Sequence, residues 1–167
     1  MQHSGEYHVS VGKDHLVFAS AHFITLEGHR CEGLHGHNYH ARVTVSGRLD
    51  DDTWWVFDFV ELKRIARRLC DALDHLVLLP LESRRVRVSE QGDSVCVAVD
   101  GTPRYTFPRR DCALLPIPNT TAEMLAKLLT DRLRAELGER GAGSLTAIEV
   151  EVEESVGQSA IHRATLE

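Results

Sequence analysis

The chain alternates apolar and polar residues over most of its length and breaks that rhythm twice with helical periodicity. Residues 7–23 alternate in two short runs around Gly12-Lys13-Asp14, which predicts a hairpin whose second strand ends on His22. His35 to Gly47 reads as a further strand with Val43 and Val45 on one face, because side chains two apart share a side. Asp50-Asp51-Asp52 predicts a turn, and Trp54 to Phe57 a returning strand. Asp58 followed by Glu61 is a capping box, the pair of side chains that satisfies the first free N–H groups of a helix. The helix it opens runs to about Leu73, with Leu62, Ile65, Leu69 and Leu73 along one side. Thr120 followed by Glu123 predicts a second such start, for an amphipathic helix through Leu125, Leu128, Leu129, Leu133 and Leu137 that closes at Gly138. Leu145 to Glu153 and Ala160 to Leu166 form a last strand pair.

Between the helices, residues 81–117 hold three strictly alternating stretches: Arg85 to Ser89, Ser94 to Val99 and Arg104 to Phe107. Turn-forming residues at 90–93 and 100–103 join them into an inserted β-meander, expected to decorate the surface. The whole reads as one α+β domain over residues 1–167, an antiparallel four-stranded sheet with two helices on one face plus the meander. Its open edges and uncovered face require partners.

Composition removes several classes of function. A net charge of −6 over 167 residues argues against general nucleic-acid binding, which needs a basic surface. The basic group Lys63, Arg64, Arg67 and Arg68 lies opposite the leucines of the first helix and reads as a solvated face. No stretch approaches the roughly 20 apolar residues of a membrane span, so no membrane partner is expected. Cysteines at 31, 70, 96 and 112 have neither C-x-x-C spacing nor the density of a secreted scaffold, which favours a reducing cytoplasm. Cys70 falls on the apolar stripe of the first helix and reads as core.

The chemistry is concentrated in Phe18-Ala19-Ser20-Ala21-His22 and Cys31-Glu32-Gly33-Leu34-His35-Gly36-His37. His35 and His37 point to the same side of one strand, and His22 on a neighbouring strand completes a three-histidine set. Three imidazoles with a free fourth position suit catalytic zinc, whereas structural zinc is closed by four protein ligands. Cys31 and the later Asp74-His75 pair supply a thiol and a dyad beside it. His29 and His40 flank the set, and His40 faces away from it by strand alternation.

These stretches, with Val56-Phe57-Asp58-Phe59, Thr121-Ala122-Glu123-Met124-Leu125-Ala126 and Val150-Glu151-Val152-Glu153-Glu154, resemble the 6-pyruvoyltetrahydropterin synthase and 6-carboxytetrahydropterin synthase family. The resemblance implies Zn2+ on His22, His35 and His37, Cys31 as the proton-abstracting base, and Asp74 and His75 in its support. It also implies Glu154 as the anchor of the pterin ring, with Thr121 and Glu123 lining the pocket. Glu149, Glu151 and Glu153 share one strand face and Glu154 lies on the other, which sets Glu154 apart from its acidic neighbours. The implied architecture is the tunnelling fold, in which sheets join edge to edge into trimeric barrels and two trimers form a homohexamer with active sites at subunit boundaries. Cys31 lies four residues before His35, a spacing similar to that of the bacterial 6-carboxy enzymes. The expected activity is therefore a carbon-oxygen lyase converting 7,8-dihydroneopterin triphosphate to 6-carboxy-5,6,7,8-tetrahydropterin, on the queuosine (7-deazapurine) route. A pyruvoyl-type synthase on a related pterin, or a non-catalytic pterin or purine binder, would be built on the same frame.

Overall fold

A computed structural model describes residues 5–28, 30–139 and 144–166. Its centre is one six-stranded sheet rather than the four-stranded antiparallel sheet expected from alternation. The strands are β1 (Tyr7–His22), β2 (His35–Gly47), β3 (Leu76–Pro80), β7 (Cys112–Leu115), β8 (Leu145–Ser155) and β9 (Gln158–Thr165), in the order β7-β3-β1-β2-β8-β9. β1, β2, β8 and β9 are antiparallel in sequence, as the sequence implies, and β3 and β7 join β1 in parallel. Leu-Val-Leu-Leu-Pro and Cys-Ala-Leu-Leu carry no alternation because both faces of these strands are covered, the usual state of parallel strands. Leu78 faces the helix-side core, and Leu79 faces a second cluster under the meander.

The expected hairpin at residues 7–23 is instead a single bulged strand. Its register against β2 shifts between Gly12 and Val17, so the extra residues swell out without reversing the chain. Gly12 is required there, since a Cβ would stand 2.9 Å from the Arg42 Cα. The expected strand at Trp54 to Phe57 is also absent. The turn expected at Asp50-Asp51-Asp52 does form, its Asp50 carboxylate accepting from the backbone N–H groups of Asp52 and Thr53 and from the Thr53 hydroxyl.

Helix α1 (Phe59–Asp71) is capped by Asp58, whose carboxylate accepts from the Val60 N–H at 2.8 Å. Helix α2 (Ala122–Glu139) starts one residue later than its predicted box. Its cap is Thr121, which accepts from the Met124 N–H, while Thr120 is buried and donates to the Phe23 carbonyl. Both helices lie on one sheet face, burying Leu62, Ile65, Leu125 and Leu133 against Phe18, Tyr39, Val43 and Val150. Cys70 is in that core, and burial pushes its thiol up to about 12. The basic face of α1 is ion-paired at the surface, Arg64 to Glu61, Arg67 to Asp71 and Arg68 to Glu136.

The meander consists of β4 (Val86–Gln91), β5 (Ser94–Val99) and β6 (Thr102–Pro108), a separate three-stranded antiparallel sheet inserted between β3 and β7. Val86, Val95, Val97 and Val99 pack with Phe23, Leu79 and Cys112, so this sheet covers the side of β3 and β7 away from the helices.

Candidate active site

Strand alternation builds the site. Phe18, Ser20 and His22 on β1 face the helices, as do His37, Tyr39, Ala41 and Val43 on β2 and Ile148, Val150, Val152 and Glu154 on β8. Near one end of the sheet the apolar row gives way to His22, His35, His37 and Glu154. His22 pairs directly with His35 across the β1–β2 ladder. The His22 ring centroid lies 4.7 Å from that of His35 and 5.2 Å from that of His37, and His35 and His37 are 4.9 Å apart.

One potential ligand atom from each of His22, His35 and His37 lies within 4.8 Å of the other two. Backbone carbonyls fix which nitrogen each ring can offer. His22 donates Nδ1–H to the Thr120 carbonyl at 2.8 Å, and His35 donates Nδ1–H to the Gly33 carbonyl at 2.9 Å. In its neutral form each ring therefore turns the Nε2 lone pair inward, the tautomer that ligates metals. The Nε2 atoms of His22 and His37 are buried without a well-formed hydrogen bond. Burial lowers the His22 pKa, against the opposing pull of the Thr120 carbonyl and Glu154, and favours the neutral ring. The neutral His22 ring and the orphaned Nε2 atoms of His22 and His37 fit a metal ion. Exposure rises from 1% at His22 through 24% at His37 to 39% at His35, so the group is open on one side.

Glu154 falls on the inward face that separates it from Glu149, Glu151 and Glu153. Its Oε1 lies 3.2 Å from His22 Nε2 and 3.7 Å from His37 Nε2, and it accepts the Tyr39 hydroxyl at 3.2 Å. Tyr39 was not legible from the motifs, although its place two residues after His37 on the same face was the available signal. The same holds for Thr120, whose carbonyl orients His22.

Asp74 and His75 are clipped to β1 through Ala19. The Asp74 carboxylate accepts the Ala19 N–H at 2.7 Å and His75 Nδ1–H at 2.8 Å, while the His75 backbone N–H donates to the Ala19 carbonyl. The Ala19 hydrogen bond, more than any other contact, holds the Asp74 carboxyl below the usual carboxylate range. His75 sits at φ 57, an uncommon conformation for a residue with a Cβ, and its side chain is 82% exposed. With Nδ1 committed to Asp74, its Nε2 is the free nitrogen. His75 and His37 line one depression of about 490 Å³, together with Ser20, Asn38 and Asp111.

Cys31 is half-buried and packs against the meander cluster. The adjacent Glu32, which the motif reading passed over, places its carboxylate 3.8 Å from His35 Nε2. Thr121 caps α2, and Glu123 is exposed on its first turn. His40 points to the opposite sheet face beside Asn38 and Arg42, as alternation requires, and His29 lies outside the described residues.

The fold is thus a mixed sheet with two helices on one face and an inward three-histidine group near one end of the sheet. The chain belongs to the 6-pyruvoyl tetrahydropterin synthase family, whose family model matches residues 13–165. It is 37% identical over 153 residues to a Methanocaldococcus jannaschii protein provisionally named 6-carboxy-5,6,7,8-tetrahydropterin synthase, covering 91% of this chain and 92% of that one. The crystal structure of 6-pyruvoyl tetrahydropterin synthase from Plasmodium vivax superposes with a TM-score of 0.90 at 30% identity, over 98% of this chain and 100% of that one. A variant of that Plasmodium vivax enzyme, in which a catalytic glutamate is replaced by alanine, superposes with a TM-score of 0.89 at 30% identity and the same coverage.

Proposed function

We propose that this chain is a zinc-dependent 6-carboxy-5,6,7,8-tetrahydropterin synthase, a carbon-oxygen lyase acting on 7,8-dihydroneopterin triphosphate on the route to 7-deazapurines such as queuosine. The observation that carries this reading is the convergence of three imidazoles with ligand atoms within 4.8 Å of one another, the Asp74–His75 dyad and Glu154 at one end of the sheet. The 37% identity to the Methanocaldococcus jannaschii protein supports the 6-carboxy product. Zinc held by His22, His35 and His37 would supply a Lewis acid for the side-chain hydroxyls of the substrate, making neighbouring protons easier to remove. Cys31 takes such a proton as its thiolate. Asp74 holds His75 in one tautomer, so that Nε2 can exchange protons in the shared depression. Glu154, oriented by Tyr39, accepts the amino and ring N–H groups of the pterin, with Thr121 and Glu123 at the pocket's edge. The enzyme works in the cytoplasm as a homohexamer of two trimers, with sites at subunit boundaries.

A second reading, a 6-pyruvoyl tetrahydropterin synthase, is favoured by Glu32. The Plasmodium vivax relative uses a catalytic glutamate, and here the Glu32 carboxylate faces His35 while the Cys31 side chain packs toward the meander. Product analysis after incubation with 7,8-dihydroneopterin triphosphate separates the two. A 6-carboxy product supports the first reading, a 6-pyruvoyl product the second, and unchanged substrate with the zinc-loaded protein defeats both.

A further inference from the structure

The loop between β1 and β2, residues 23–34, carries both candidate bases and ends at the ligand His35. Its own backbone closes the base of the loop, Leu26 N–H donating to the Arg30 carbonyl at 2.9 Å and Glu32 N–H to the Ile24 carbonyl at 3.0 Å, whereas Gly33 and Leu34 beyond it have no such cross-loop bond among the described residues. Asn119 holds its first part, accepting from the Thr25 N–H and donating to the Thr25 carbonyl. The meander adds further bonds to the rest of the loop. Arg85 at the start of that insertion donates from one nitrogen to the carbonyls of Leu26 at 2.9 Å and Arg30 at 3.1 Å. Its other edge is fixed by a two-point pair with Asp100. Arg104 on β6 donates to the Glu32 carbonyl at 2.8 Å and to the Tyr105 hydroxyl at 3.1 Å. That hydroxyl in turn accepts the Leu34 N–H at 3.2 Å, and the Tyr105 ring packs on Phe23.

The peptide groups on both sides of Gly33 are thus bound by the meander, and the Gly33 carbonyl between them receives the His35 ring. The valine cluster packs the meander against β3 and β7. Arg85, Arg104 and Tyr105 reach beyond it to backbone groups of a loop that belongs to the other side of the insertion.

We propose that the meander is a clamp for the catalytic loop, with Arg104 and Tyr105 as positioning residues that set the Cys31-Glu32 segment against the histidine group. The inference rests on the proposed activity for its kinetic consequence, but not for its structural one. Two variants test it in the full-length protein, Tyr105→Phe, which keeps the ring and removes only the hydroxyl, and Arg104→Gln. Arg109→Gln serves as the control, because Arg109 pairs with Glu90 and the Cys112 carbonyl at the far end of the meander. The first readout is the rate of iodoacetamide alkylation at Cys31, resolved from Cys96 by peptide mass spectrometry.

The clamp predicts a change of threefold or more in the Cys31 rate in both test variants, with Cys96 and the control unchanged. The second readout is a fall in kcat of about tenfold with KM within twofold. An unchanged Cys31 rate in both variants overturns the proposal, and so does a parallel rise at Cys31 and Cys96, which would show general loosening. If the wild type turns over neither pterin, the functional reading fails while the alkylation result still decides the clamp.

Discussion

His35 is where the three-histidine group and the loop carrying the proposed bases meet, since its ring belongs to the one and binds the Gly33 carbonyl of the other. Purified protein should hold about one zinc per chain, and His35→Ala should lose both metal and turnover; full zinc occupancy in that variant, by elemental analysis, would remove His35 from the ligand set. Cys31→Ala should leave zinc and KM near wild type and lower kcat by roughly a hundredfold or more, the usual worth of a positioned base. If Glu32 is the base, that loss moves to Glu32→Gln, so kinetics on the two variants assign the role. Asp74 gives a pH signature through stability. Its folded-state pKa lies below the ordinary 3.8, so the charge stabilises the fold above that value and the contribution fades as pH falls through the depressed one. Asp74→Asn keeps the acceptor for the Ala19 N–H and loses the charge. The gap in urea midpoint between wild type and Asp74→Asn should hold from neutrality down to about pH 4 and close below it.

At the scale of elements, the two helix starts behave differently although the sequence writes them alike. Asp58 caps α1 through a 2.8 Å bond to the Val60 N–H, and Asp58→Ala should cost about 1 kcal/mol in chemical denaturation. At α2 the cap passes to Thr121 because Thr120 is used elsewhere, its hydroxyl on the Phe23 carbonyl and its own carbonyl on His22. The start of α2 is therefore tied to the metal group as well as to the helix. The β3–β7 pair and the meander show the same sharing, since Leu79 and Cys112 belong to a core that exists only when the insertion folds over them.

For the whole molecule, the six-stranded sheet ends in β7 and β9, each with one side unpaired among the described residues. Trp54, Trp55, Phe59 and Val60 add large apolar side chains exposed within one short stretch before and into α1. Open edges and exposed aromatics together call for subunit contacts. Light scattering should give a mass near six times the 18.7 kDa chain, and a monodisperse monomer at micromolar concentration would contradict the hexamer. Among the described residues no helix is long and apolar enough to cross a membrane.

Alternation and helical periodicity were enough to determine, from the sequence, the α+β class, both helices, β2, the β8–β9 pair and the meander, because each of these buries one face and exposes the other. The same rule put His35 and His37 on one side and separated Glu154 from Glu149, Glu151 and Glu153. It failed wherever tertiary contacts removed the contrast between faces. β3 and β7 are apolar throughout because they are covered twice, and β1 continues through its apparent turn because pairing with β2 carries it across a bulge. Only the folded chain decided that Thr120 serves His22 rather than α2, that Glu32 stands by His35 while Cys31 turns to the meander, and that the insertion hydrogen-bonds to the β1–β2 loop. Those outcomes depend on contacts between residues far apart in sequence, such as Arg104 with Glu32 and His22 with Thr120, which no local pattern encodes.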